Sequence, residues 1–199
     1  MFLIYLSACS TQLKTNTQGS NEEQAKRWSF AGKIAIKVNT KSQKANITWE
    51  TDHNDYDILL YGPFGQGKIH IQKLGEQVSL TSDGKTKYAD DPETLLYQTT
   101  GLSLPISSLK YWIRGVEDPS YPANKELDLD GDLAQLRQED WTVNYSGYDI
   151  FENNRGDRLL LPNKLKLFNQ KASKDNTSPN EPLNTAAISA TIVIKEWQP

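Results

Sequence analysis

The sequence holds one cysteine, two histidines and one methionine in 199 residues. A single thiol, Cys9, excludes an internal disulfide and any zinc site built on paired cysteines. His53 and His70 are too few for a histidine-rich metal centre, and no nucleophile-elbow pattern accompanies either. No apolar run approaches the ~20 residues that a spanning helix needs, and mean hydropathy is -0.65. Positive charge is scarce too, with 22 Lys and Arg against 25 Asp and Glu. The clustered basic excess of a nucleic-acid binder is therefore missing, as is a Gly-rich phosphate loop. Asp90 and Asp91 adjoin, but nothing beside them orients a substrate. Asp128 to Asp132 with Glu139 partly matches a calcium loop, yet Leu133 stands where the sharp turn needs Gly. Neither an enzyme nor a metal or cofactor protein is expected.

What is present begins with a short apolar run, Met1 to Ala8, ending in small residues directly before Cys9. An export signal ends this way. Leu6-Ser7-Ala8-Cys9 resembles the bacterial lipobox, which makes Cys9 the expected lipid-attachment site and residues 1–8 the remnant of a signal peptide. No Lys or Arg precedes Cys9, so the true start is expected upstream of Met1. Residues 10–26 are rich in Thr, Gln, Asn, Ser and Lys and cannot bury enough apolar surface to order themselves. Residues 9–27 are thus expected to be a lipid-anchored flexible tether reaching about 20–25 Å, with a helical turn over 21–27. The folded domain should span 28–199.

From Trp28 onward apolar residues alternate with polar ones. Phe30, Gly32, Ile34, Ile36 and Val38 share one parity; Ala45, Ile47 and Trp49, then Tyr56, Ile58 and Leu60, then Ile69 and Ile71 repeat the pattern. It returns in Trp141, Val143 and Tyr145, in Leu165 and Leu167, and in Ile188 to Ile194. Period two with one apolar face predicts half-buried antiparallel strands. Gly62-Pro63, Gly75, Asp83-Gly84 and Asp130-Gly131 supply the turns. The middle breaks the rhythm. Asp91-Pro92-Glu93 predicts a helix start and Gly101 its stop. A second helix should begin near Pro105, carry Ile106, Leu109, Trp112 and Ile113 on one stripe, and end at Gly115. Two short helices inside a long meander predict a cover over the open side of a curved sheet. Residues 169–185 read as a mobile polar loop.

Six stretches carry a family resemblance: Gly32 to Ile36, Leu60 to Gly67, Tyr88 to Glu93, Leu104 to Ile106, Tyr111 to Gly115, and Val193 to Trp197. In order and spacing they resemble the outer-membrane lipoprotein receptor family LolB, from Trp28 to Trp197. The resemblance implies a mainly β fold, an incomplete antiparallel β-barrel with a helical lid over a hydrophobic cavity. It also implies a protein of the outer membrane, facing the periplasm, that accepts lipoproteins from the periplasmic carrier LolA and inserts them into that membrane. The implied partners are LolA, the acyl chains of lipoprotein cargo and the inner leaflet of the outer membrane, with the protein acting as a monomer.

On that basis the candidate cavity residues are Ile34, Ile36, Ile47, Trp49, Ile58, Leu60, Ile69 and Ile71, with Leu95, Leu109, Trp112 and Ile113 from the lid. Alternation alone fits a solid core equally well. Phe64 stands at a turn made by Pro63 and two glycines, where a polar residue is usual. The resemblance places a membrane-inserting residue there. Two other readings stay open: a soluble carrier of the LolA type, which Cys9 disfavours, and a structural lipoprotein without cargo.

Overall fold

A computed structural model describes residues 27–65, 67–153, 156–169 and 188–199, with Phe64 defined in its backbone alone. Cys9, the expected signal and tether segments up to residue 26, and residues 170–185 of the expected loop lie outside the described residues. Arg27, expected in a helical turn, instead opens the first strand.

The chain first builds a meander of six antiparallel strands: β1 (Arg27–Val38), β2 (Lys41–Asp52), β3 (Asp55–Tyr61), β4 (Ile69–Leu74), β5 (Gln77–Ser82) and β6 (Lys85–Ala89). Two helices follow, α1 (Pro92–Thr100) and α2 (Ile106–Trp112). A second meander then runs through β7 (Ala123–Leu127), β8 (Leu133–Gln138), β9 (Trp141–Glu152), β10 (Arg158–Asn169) and β11 (Ile188–Gln198). The two meanders join where β11 pairs with β1, giving one sheet ordered β6-β5-β4-β3-β2-β1-β11-β10-β9-β8-β7.

This order explains the lid. β6 and β7 are the two edges of the sheet, and the only chain between them is α1, α2 and their loops. The connection from one edge to the other must cross the open side, and the helices lie over it. Their buried residues, Leu95, Leu96, Ile106, Leu109 and Trp112, meet the inner faces of the strands in a single core.

The helices form for local reasons visible in the chain. The Asp91 carboxylate accepts from the Thr94 amide at 2.7 Å, Pro92 occupies the first turn, and Gly101 at φ 73° ends α1 by donating to the Tyr97 carbonyl. α2 has no side-chain cap of its own. Glu93 of α1 supplies it across the gap, accepting from the Ser107 amide at 2.7 Å. Leu104 and Ile106 bury on either side of Pro105, and Gly115, at φ 77°, marks the exit from α2.

The antiparallel order sorts the turns to two ends. The near end holds Arg27, the β2–β3 turn at His53, and the close of β11. The far end holds the β1–β2 turn and the 3-10 turn Pro63–Gly65. β3 leaves the sheet at Tyr61, opposite Asn46 and so level with Lys33, about 20 Å along β1 from Arg27; the Phe64 turn points away from the end where Arg27 opens the sheet.

Candidate acyl-chain site

The register of the sheet brings the strand candidates onto one face. Trp49 lies opposite Ile58 and Ile47 opposite Leu60; Ile58 pairs with Ile71 and Leu60 with Ile69. Ile34 and Ile36 lie opposite Ile192 and Ala190 across the central joint. Leu95, Leu109, Trp112 and Ile113 come down on them from the lid. All twelve candidates belong to or pack against the same apolar cluster.

That cluster is closed. Ten of the twelve are less than 10% exposed, and only Leu60 and Ile69 are half-buried. The helices fill the concave face in this state rather than roofing an empty space. An open cleft of about 970 Å³ does exist, but at the near end, and none of the twelve candidates borders it. Trp28, Thr51, Tyr56 and Trp197 take part in its wall, with an acidic rim that includes Glu50, Asp52, Asp55, Asp57, Glu152 and Asp157.

The lid is fastened unequally. At α2 a buried polar knot holds it to β8: Trp112 Nε1 donates to Gln138 Oε1 at 2.7 Å, and the same oxygen accepts from the Asp118 amide at 2.9 Å. Gln138 Nε2 donates to the carbonyls of Asp118 and Tyr121, and Ser108 donates to the Asp118 carboxylate. Toward β6 the polar fastening is lighter. Lys87 reaches the Gln98 carbonyl at 3.4 Å there, while Lys110 ties α2 to the β2–β3 turn by donating to the His53 carbonyl at 3.0 Å. Burial, then the charges of Lys73 and Arg114, hold the Lys110 ammonium below its ordinary pKa, opposed by Asp55.

Near the cleft lies an aromatic cluster that alternation did not single out as a site. Trp28 is 5.7 Å from Trp49 and 6.0 Å from Trp197, ring centre to ring centre, and Phe30 stacks beside Trp28 at 6.2 Å. Tyr56 abuts Trp49 at 6.2 Å. The Arg114 guanidinium lies over the Trp28 ring at 5.9 Å, and burial presses its pKa down. Trp28 and Trp197 were legible as ends of the resemblance, but their meeting follows from the pairing of β1 with β11, and the half-buried Arg114 reaches Trp28 from the end of α2.

The remaining sequence signals resolve into ordinary structure. The Asp128 carboxylate accepts from the amides of Asp130 and Asp132, closing the β7–β8 turn. His70 sits half-buried on the outer face, its Nε2 2.8 Å from the Asp57 carboxylate. Asp91 is a helix cap. Pro63–Gly65 is a tight turn closed by the Gly65 amide on the Gly62 carbonyl at 3.1 Å.

Comparison with known proteins agrees with this geometry. A family model described as outer membrane lipoprotein LolB matches residues 26–197. The outer-membrane lipoprotein LolB of Chromohalobacter salexigens is 33% identical, over 97% of this chain and 85% of that protein. The one from Pseudomonas paraeruginosa is 34% identical, over 94% and 80%. That of Francisella tularensis subsp. tularensis is 31% identical, over 100% and 91%. Among solved structures, an outer-membrane lipoprotein-sorting domain from Vibrio parahaemolyticus superposes with a TM-score of 0.53 at 7% identity, covering 90% of this chain and 89% of that one. A DUF1329 family protein from Desulfovibrio piger gives 0.51 at 8% identity, with 90% and 89% covered. At such identities the two structures speak for the fold alone. Unclosed sheet, edge-to-edge lid and sequence match together place the chain in the LolB family of outer-membrane lipoproteins.

Proposed function

We propose that the protein receives other lipoproteins at the outer membrane by taking up their acyl chains between the concave sheet and the α1–α2 lid, and passes them into the bilayer. The observation that carries this is the lid. An unclosed eleven-stranded sheet covers its apolar face with two short helices of nine and seven residues, whose polar fastening on the β6 side is slight. Such a face closes on itself when empty and exchanges helix contacts for hydrocarbon when cargo arrives. A chain of about fifteen methylenes gains about 12 kcal/mol gross on burial, at about 0.8 kcal/mol each. That offsets the apolar helix surface it displaces, so uptake and closure lie close in free energy. Burial of this kind is non-directional and suits cargo that shares only its acyl groups.

The periplasmic carrier LolA is the proposed donor, Cys9 the proposed anchor, residues 9–26 the tether, and the Phe64 turn the proposed bilayer contact. A Phe side chain entering the interface adds about 1.5–3 kcal/mol, enough to help release but not to anchor the protein alone. Phe64→Glu should leave cargo binding intact and impair delivery into liposomes; unchanged delivery would remove the turn from the mechanism. Cys9→Ser should yield a protein that binds cargo but no longer stays with the membrane. The tight burial of the twelve candidates favours a second reading, a structural lipoprotein with a permanent core. Saturable uptake of a fluorescent fatty-acyl probe, competed by a lipopeptide, is expected on the first reading and absent on the second.

A further inference from the structure

Eight buried side-chain polar atoms among the described residues have no hydrogen-bond partner, and five of them sit in one place. They are Trp28 Nε1, Trp49 Nε1, Thr51 Oγ1, Tyr56 OH and Arg114 Nε. Thr51 lies opposite both Trp28 and Tyr56 in the sheet, Trp28 and Trp49 are 5.7 Å apart, and Arg114 covers Trp28. Trp28, Trp49 and Thr51 are at most 3% exposed. Folded proteins satisfy nearly all such groups, so five orphans in one patch call for a ligand rather than chance.

The chemistry of that ligand follows from the orphans. The indole and guanidinium N–H groups can only donate, and the two hydroxyls can donate as well. Burial keeps the Tyr56 phenol protonated far above neutral pH, so it remains a donor. The complement is a group rich in acceptors and without donors. Trp28, Thr51 and Tyr56 border the near-end cleft, while its acidic side chains Glu50 and Asp57 project from the opposite face of the sheet. An ester carbonyl, an acceptor with no donor of its own, meets that requirement.

We infer that the Trp28–Trp49–Thr51–Tyr56–Arg114 cluster binds the ester carbonyls that join acyl chains to the glyceryl group of a lipid-modified cysteine. The inference rests on the acyl-chain reading and adds a polar subsite to it. The chains lie along the concave face, and the linkage that carries them is read at the near end. Chains of equal length joined through ethers lack those carbonyls, so the subsite reads the linkage as well as the hydrocarbon.

The test compares two synthetic lipopeptides on the full chain carrying Cys9→Ser, so that no acyl group of its own competes. One bears two ester-linked chains on S-glyceryl cysteine, and the other is the ether-linked analogue of equal chain length, lacking both carbonyls. The ester probe should bind at least about tenfold more tightly, since each hydrogen bond gained corresponds to about fivefold. Tyr56→Phe and Trp28→Phe should each weaken the ester probe by about fivefold and leave the ether probe within twofold. Tyr56→Phe removes an unpaired hydroxyl and should not lower thermal stability, which a merely structural hydroxyl would. Equal affinity of the two probes for the unmutated cluster overturns the inference and needs no variant to fold. So does a loss that falls on both probes alike. Binding of neither probe overturns the acyl-chain reading itself and this subsite with it.

Discussion

Gly32 shows how closely the two meanders approach at their joint. A Cβ built there would stand 2.3 Å from the Val193 carbonyl oxygen, at the point where the β1–β11 register slips between Ala31 and Gly32. Backbone, not a pliable side chain, is the obstacle. Gly32→Ala should therefore cost about 1–3 kcal/mol by overpacking, read as a lowered urea midpoint. Gln138 is the polar counterpart. It is 1% exposed and satisfies three buried groups and the part-buried Tyr121 carbonyl at once. Gln138→Leu leaves the Trp112 indole and the Asp118 amide without acceptors, and a loss of about 3 kcal/mol or more is expected. Chemical denaturation would measure it, and a fall below 1 kcal/mol would mean the knot rearranges. Neither role was legible beforehand. Gly32 read as one more inward position of a strand and Gln138 was not singled out, because both roles arise from partners distant in the chain.

The elements themselves were written more openly. Strand parity predicted the inner face of β1 through β4 residue by residue, since period two is a local property of the backbone. The start and stop of α1 were equally local: Asp91, Pro92 and Gly101 act within the helix they bound. Asp91→Ala should cost about 1 kcal/mol through the lost cap, detectable as a modest drop in melting temperature. α2 differs, because its amide partner comes from Glu93 on the other helix. Pro105 marked where α2 begins but gave no hint of what caps it. Glu93→Ala should loosen the α1–α2 junction, and faster amide exchange at Ser107 is the expected signature. The candidate site was partly legible for the same reason. Alternation named the residues that face inward, but filled core and fillable cavity share one pattern, and only the topology shows that a lid stands between them.

At the scale of the molecule the question is whether that lid opens. β6 and β7 are short edges carrying Lys85, Lys87, Lys125 and Glu126, which discourages pairing with another sheet and suits a protein acting alone. The seam between them is covered by α1 and α2, which connect the two edges. α1 contacts β5 and β6, and Lys87 reaches the Gln98 carbonyl across that boundary. If cargo enters by parting α1 from β6, a covalent strap there should block entry without touching the apolar face. With Cys9 replaced by serine, cysteines at positions Lys87 and Gln98 joined by a short cleavable bis-thiol reagent should reduce acyl-probe uptake at least tenfold. Cleavage of the linker should restore it. Undiminished uptake in the strapped protein would mean the chains enter elsewhere.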